Sequence, residues 1–469
     1  MRRRRTWIAT AAAIALGAGI AGVIVTSAAA GGAAWTPGAP LILRGTIVTP
    51  QTIIQHGYIR IENGRITVVS DRRPALDGAV LIDTEGTIYP GLVDVHNHVP
   101  WNVLPRWIPP HLYSNRSEWR ADPDQLQEVA VPFNDLLAGG HVCDMNDYGE
   151  MRALAGGATS ILATQRVACI RGLVRNLDYN SGFYGTTELN REHILNIVDV
   201  PPAGDPNGRS QFVAQARSVI ASPFFEALFL HLAEGVDAFS LEEFTFIQSS
   251  GLLNPKGACV HCLALGPDEF RAMAAADTSL VWSPRSNVEL YGRTTDIEAA
   301  LDAGVRIALA PDWAVTGSSS ILDELRFADQ WNREHLNGRL TDAQLVAMVT
   351  STPAAIAGIA DEVGTIQPGL RADLLVISGD EDDPYRQLIE AGPHDVRLVL
   401  VGGVPAYGNA EAMRAFWNTA QLEPIDVGPG APMALAAPAA DFRLADVVSR
   451  LEAALQAEGS SLAPLTESH

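Results

Sequence analysis

The rhythm of hydrophobic and polar positions changes twice along this chain. From Leu41 to Ile88, short β-rich segments are separated by turn signals such as Glu62-Asn63-Gly64-Arg65 and Leu76-Asp77-Gly78, the rhythm of a small antiparallel sheet. The same rhythm returns at Val363 to Ile377 and at Val396 to Ala406. Between these flanks, apolar runs alternate with stretches of helical spacing. Leu228 to His231 is followed by Leu241 to Ser249, Ala258 to Leu263 by Asp268 to Ala276, Leu280 to Ser283 by Thr295 to Ala303, and Arg306 to Ala310 by Ile321 to His335. Strand followed by helix predicts parallel strands, and the span from His96 to Asp312 has room for most of a barrel of about 250 residues.

The ends of these strands carry the chemistry. The run Pro90-Gly91-Leu92-Val93-Asp94 leads into His96 and His98. Side chains of a strand alternate faces, so two histidines one residue apart point the same way and can grip one ion. A lone His-x-His is more often a surface or core feature, but here it has company. His231-Leu232-Ala233-Glu234, Val260-His261-Cys262 and Leu309-Ala310-Pro311-Asp312 each end a short apolar run. Three histidines and an aspartate are a ligand set suited to a divalent metal, zinc first, with iron or manganese as alternatives. Glu234 and His261 are left over for proton transfer and for orienting water or substrate. A metal with an open position makes its water acidic near neutral pH, and a carboxylate beside it can move the proton.

Each residue also has a plainer reading. Glu234 can open the following helix, where an acid complements the helix dipole. His261 can be a core histidine, and Asp312 an N-cap, although the run Thr316-Gly317-Ser318-Ser319-Ser320 offers other caps nearer Ile321. His111, His141, His193 and His335 lie off the pattern and read as surface or lid residues.

Composition narrows the partners. A formal net charge of −21 excludes the basic face that nucleic acid requires, so a small-molecule substrate is expected. Arg2 to Arg5, the apolar stretch Trp7 to Val25 and the small residues Ser27 to Ala30 read as a signal peptide over residues 1–30. The product is exported to the periplasm or beyond, by the twin-arginine or the general route. A retained stretch would instead be a membrane anchor. The chain also allows a homo-oligomer. Cys143 and Cys169 can pair. Cys259 and Cys262, three apart on a predicted strand, fall on opposite faces and read as buried thiols.

From Leu41 to Ala406 the chain resembles the amidohydrolase superfamily of metal-dependent hydrolases and deaminases. The likeness rests on the Pro-Gly-Leu-Val-Asp-x-His-x-His strand, the His-x-x-Glu segment, the later histidine, the strand-end aspartate, and Gly364-Thr365-Ile366-Gln367-Pro368-Gly369-Leu370-Arg371-Ala372-Asp373-Leu374. Ser283-Pro284-Arg285-Ser286-Asn287 is similar to a Cys-Pro-x-Ser-Asn segment of the single-metal branch that holds cytosine, guanine and thioadenosine deaminases and triazine hydrolases.

The resemblance implies an α/β fold: a (β/α)8 TIM-like barrel over residues 89–362, a small β-sandwich from 41–88 plus 363–406, and a C-terminal extension over 407–469. It implies that His96, His98, His231 and Asp312 ligate the metal, that Glu234 shuttles protons, and that His261 orients water or substrate. Ser286 and Asn287 are then candidate substrate contacts. Binuclear members often bridge their metals with a carboxylated lysine, and Lys256 is the sole lysine of this chain, so a lysine-bridged pair is excluded between His98 and His231. One metal is the economical reading; a bridging Glu or Cys169 would be the alternative.

The expected reaction is hydrolysis of a carbon–nitrogen bond, as deamination or as ring or amide hydrolysis of a small heterocycle. Trp101, Trp107, Tyr113 and Trp119, among Pro105, Pro109 and Pro110, form an aromatic loop that can stack on a flat ring or simply pack. Ser283 in place of Cys, and Trp313 after the aspartate, depart from the deaminases and put purine or pyrimidine specificity in doubt. The alternatives are amide, lactone or carbon–halogen cleavage in a non-heterocyclic substrate, or an exported metal-binding protein without turnover.

Overall fold

The computed structural model describes residues 35–162, 169, 172–177, 195–379, 382–437, 439 and 441–467. The expected signal peptide and His193 lie outside them. Strands from both flanks form one continuous nine-stranded ladder. Its centre is where the two flanks meet: Leu374–Ser378 pairs antiparallel with Val80–Pro90, with Leu374 opposite Pro90. Leu41–Val48 lies parallel on the other side of Val80–Pro90. Asn63 and Gly64, at φ of 50° and 75°, close the hairpin between Ile53–Glu62 and Arg65–Ser70, as their left-handed preference predicts.

The ladder continues past residue 406. Leu422–Ile425 and Met433–Ala436 add two strands beyond Val404–Asn409. The helix Leu444–Ala457 buries Leu444, Val447, Leu451 and Leu455, one stripe at helical spacing. The tail behind it reaches back to the loop after His98, where Ala463 N donates to Val103 O at 2.9 Å and the Tyr148 hydroxyl donates to Ala463 O.

Between the flanks, the described residues form two parallel sheets. Five strands run in the order Ile307–Leu309, Ser279–Trp282, Gly257–His261, Leu228–Leu232 and Leu195–Asp199; three run Leu92–Asp94, Ala158–Ile161 and Arg175–Asn176. Leu228–Leu232 and Gly257–His261 are buried at every position, which is why they read as unbroken apolar runs rather than alternating ones. Val93, Leu162, Phe229, Val260, Val281 and Ala308 share a buried cluster that draws on both sheets. At one end a parallel bridge between Asn97 and Asp312 joins the sheets, with His98 N donating to Asp312 O at 2.9 Å and Asp312 N to His96 O at 3.0 Å.

The helices follow the predicted periodicity, Ile321–His335 with the predicted limits. Pro284–Tyr291 is an additional helix that the alternation did not predict. Proline at its first position and left-handed Gly292 at its end account for its bounds. The reading of Cys259 and Cys262 as buried thiols is corrected: they form a disulfide with Cα atoms 6.0 Å apart. The strand stops at His261, and His261 and Cys262 take φ of 67° and 52°, which turns Cys262 back toward Cys259. Cys143 and Cys169 form the second disulfide.

One buried ion pair staples the parallel strands to the ladder. Arg175 Nη2 stands 2.7 Å from both oxygens of Asp373, and each side chain is 1% exposed. Asp373 Oδ1 also accepts from Gly402 N, and its carbonyl accepts from Gly91 N. Arg175→Met leaves that carboxylate buried without its cation, so thermal and denaturant unfolding should report a loss of about 3–5 kcal/mol. A loss below about 1 kcal/mol would mean that the pair does not hold the two parts together.

Candidate metal centre

Backbone strain places the site. Ala233, His261 and Asp312 each end or follow a strand with positive φ, at 53°, 67° and 68°. For residues with a Cβ this conformation costs about 1–3 kcal/mol each, and it is held only where surrounding structure over-determines it. Here it occurs at the ends of three of the parallel strands, around the same point.

Around that point the imidazoles converge. His96 Nε2 stands 3.2 Å from His231 Nε2, and His96 Nε2 and His98 Nε2 each stand 3.3 Å from Asp312 Oδ1. His96, His261 and Asp312 form a second grouping of the same kind. Ligands about 2.0–2.1 Å from a tetrahedral ion lie roughly 3.3 Å from each other, so these separations fit a small divalent cation. The opposite ring nitrogens are tied down: His96 Nδ1 to Ser283 Oγ at 2.8 Å, His231 Nδ1 to Asp199 Oδ1 at 2.8 Å, and His261 Nδ1 to Asn287 Oδ1 at 2.9 Å. With Nδ1 protonated toward its acceptor, the Nε2 lone pair of His231 and of His261 faces the centre.

Electrostatics agree with a cation site. Burial lowers the pKa of His96 well below its ordinary value, and burial lowers His231 as well, so both imidazoles are neutral donors that could hold a cation. Burial presses the Asp312 carboxyl upward, but the His96, His98 and His261 rings around it outweigh burial and keep it an anion. Glu234 shows the same balance. Burial raises it, while His261, His231, Arg116 and Arg120 bring it below the ordinary carboxylate range.

Glu234 is 4% exposed and its two oxygens have different tasks. Oε1 accepts from the Tyr291 hydroxyl at 2.7 Å, and that hydroxyl accepts from Trp119 Nε1 at 2.9 Å. Oε2 stands 3.9 Å from His261 Nε2. Burial and Glu234 together push the Tyr291 pKa far above its usual value, which keeps the phenol a donor.

A cavity of about 290 Å³ opens over these groups. His98, His231, Glu234, His261 and Asp312 form its floor; Trp101, Trp119, Trp313, Leu126 and Ala130 form walls; Arg120 and Gln125 complete it. Trp101 lies stacked on Phe133, ring centroids 3.4 Å apart, so one of its faces is already packed. Gln125 is 4% exposed, and its amide has no hydrogen-bond partner among the described residues.

All six of the metal and proton-transfer candidates named from the sequence, His96, His98, His231, Glu234, His261 and Asp312, thus meet at one place. Ser286 and Asn287 do not line the cavity. Both are fully buried in the helix after Ser283, where Asn287 bonds His261 and Ser286 Oγ bonds Ser283 O. The structure does not bring them to the cavity lining with the other candidates, and Asn287 holds His261. His111 and His335 are outside the cavity lining. Sequence reasoning missed Tyr291, Gln125 and Asp199. Only Asp199 had a signal, since Leu195-Asn196-Ile197-Val198-Asp199 ends an apolar run in an acid as Asp312 does.

Comparison with known proteins fits this geometry. Residues 231–406 match the amidohydrolase family model. A 5-methylthioadenosine/S-adenosylhomocysteine deaminase of Desulfitobacterium hafniense is 24% identical over 396 residues, 76% of this chain and 89% of the relative. An adenosine deaminase from Xanthomonas campestris with bound zinc shares the fold at a TM-score of 0.61 and 18% identity, over 89% of this chain and 98% of that one. Atrazine chlorohydrolase of Arthrobacter aurescens TC1, complexed with zinc, shares it at 0.62 and 16%, over 88% and 99%.

The donor set generates a direct expectation. Purified protein should retain about one divalent ion per chain by elemental analysis, and Asp312→Ala or His231→Ala should lose it, whereas Glu234→Gln should keep it. Two ions per chain, or loss of metal from Glu234→Gln, would reassign Glu234 as a ligand.

Proposed function

We propose that this protein is a metal-dependent hydrolase that cleaves a carbon–nitrogen bond in a small heterocyclic compound, by deamination or by ring or amide hydrolysis, with one divalent ion, zinc by preference. The observation that carries this reading is the convergence of His96, His98, His231 and Asp312 at ligand spacing, with the last three on the floor of a cavity walled by tryptophans and His96 buried beside them. When bound, the ion supplies a Lewis acid that makes water a competent nucleophile near neutral pH.

The protein's own groups do the rest. Glu234, ionised and pinned through Oε1 by Tyr291, presents Oε2 to the cavity, takes the proton of the attacking water and returns it to the leaving nitrogen. His261, held by Asn287, directs Nε2 at the same space and orients water or substrate. Trp313, Trp119 and the face of Trp101 away from Phe133 favour a flat ring, and the Gln125 amide, without a hydrogen-bond partner among the described residues, offers a donor and an acceptor to its edge. An exported metal-binding protein without turnover would need neither Glu234 nor His261 so placed.

We extend the reading to the architecture and the compartment. The parallel strands close into a (β/α)8 barrel over 89–362, with the β domain of 41–88 plus 363–406 folded as a sandwich and 407–469 as an extension, supported by the Asn97–Asp312 bridge and the shared fold. Residues 1–30 direct export, supported by two disulfides, which persist in oxidising compartments.

The test is a panel of ring amines, cyclic amides and halogenated triazines assayed on metal-loaded protein. Release of ammonia from a ring amine is expected; activity confined to open-chain amides, lactones or carbon–halogen bonds would replace this reading. With the best substrate, Glu234→Gln should retain metal and lose at least about a hundredfold in turnover. Tyr291→Phe should lose about tenfold at unchanged KM, because it frees the glutamate without removing it. Trp101→Ala should raise KM severalfold, matching the roughly 0.5–1.5 kcal/mol of an aromatic pair. A lower melting temperature with unaltered kinetics would limit Trp101 to packing against Phe133.

A further inference from the structure

The metal-facing nitrogen of His231 is set from behind by a carboxylate on the next strand. Asp199 is the register partner of His231 where Leu195–Asp199 lies parallel to Leu228–Leu232, so the pairing itself brings the acid to the ring. Asp199 Oδ1 then accepts from His231 Nδ1 at 2.8 Å. His96 and His261, by contrast, are backed by a neutral hydroxyl and a neutral amide.

The carboxylate is itself anchored. Arg120 Nη1 donates to Asp199 Oδ2 at 2.7 Å, and Arg116 Nη1 stands 4.0 Å from Oδ1. Both arginines sit on the five-residue helix Arg116–Arg120, in the loop that follows His98. Arg116 is buried and also donates to His231 O at 3.0 Å, Val200 O at 3.1 Å and Glu243 Oε1 at 2.7 Å. Glu243 Oε2 in turn accepts from Ala233 N at 3.0 Å. The side chain of Asp199 is 44% exposed, so without Arg120 it could rotate away into solvent.

We propose that Asp199 is a positioning residue for the metal centre, holding His231 in the tautomer and orientation that direct Nε2 at the ion, with Arg120 as the anchor that keeps Asp199 on the ring. Carboxylate–histidine–metal arrangements raise ligand basicity and fix ring orientation, and loss of the outer partner commonly weakens metal binding ten- to a hundredfold. The proposal rests on the metal reading above but not on any substrate.

Zinc dissociation constants from chelator competition test it without turnover. Asp199→Asn should bind zinc about ten- to a hundredfold more weakly than wild type, and Arg120→Gln about threefold or more. The cobalt(II)-loaded Asp199→Asn protein should show a shifted visible absorption band. Glu242→Gln, which breaks the surface pair with Arg209 outside the cavity lining, should change neither. Zinc affinity within twofold of wild type in Asp199→Asn overturns the proposal, as does a fall in the melting temperature of the metal-free protein with unchanged zinc affinity. If Asp199→Asn does not fold, an unchanged affinity in Arg120→Gln is the overturning result. Wild-type protein that binds no divalent ion removes the metal reading itself, and the positioning role with it.

Discussion

The convergence of strand ends on one carboxylate oxygen organises this molecule. Asp312 Oδ1 lies 3.3 Å from the Nε2 atoms of two histidines that arrive on a different strand, and the backbone around it is locked to the chain of those histidines by hydrogen bonds in both directions. Bringing buried polar groups so close is unfavourable unless a cation or hydrogen bonds satisfy them. The left-handed turns at Ala233, His261 and Asp312 that bring these groups together add strain of their own, and strands buried along their length hold them in place. The site is therefore a product of the parallel strand arrangement and cannot be moved independently of it.

Support then passes outward through hydrogen bonds. Ser283, Asn287 and Asp199 hold imidazoles; Tyr291 holds Glu234; and the short helix Arg116–Arg120 reaches both sets, through Trp119 to Tyr291 and through Arg120 to Asp199. That helix belongs to the aromatic loop after His98, so the loop that walls the cavity also braces its floor. Trp101 shows the same double duty, one face on Phe133 and the residue as a whole at the cavity wall. Loop packing and substrate contact, which look like competing explanations of the tryptophans, are compatible once the geometry is known.

The C-terminal segment belongs to this scheme as well. Its strands lengthen the ladder, and its last residues return to the loop after His98: Ala463 bonds Val103, while Glu467 lies 2.9 Å from Arg285 and 3.6 Å from Arg106. Arg106 donates to Gly317 O at 2.8 Å, in the segment that follows Asp312. The tail thereby ties together loops that follow the same, C-terminal ends of the parallel strands Leu92–Asp94, Ser279–Trp282 and Ile307–Leu309.

The sequence by itself determined the alternation of strand and helix, the turn at Asn63-Gly64 and the residues of the candidate metal centre. These are local properties: side-chain period, glycine conformation, and a reactive residue at the end of an apolar run. What only the tertiary structure decided were relations between distant segments. Asp199 becomes the partner of His231 through strand register, Tyr291 reaches Glu234 because an unpredicted helix follows Ser283, and Asn287 turns to His261 rather than to the cavity. Cys259 and Cys262 are the sharpest case. A strand period of two puts them on opposite faces, and they pair because two residues at the strand end leave the strand conformation, a choice made by the surrounding packing and not by the local pattern.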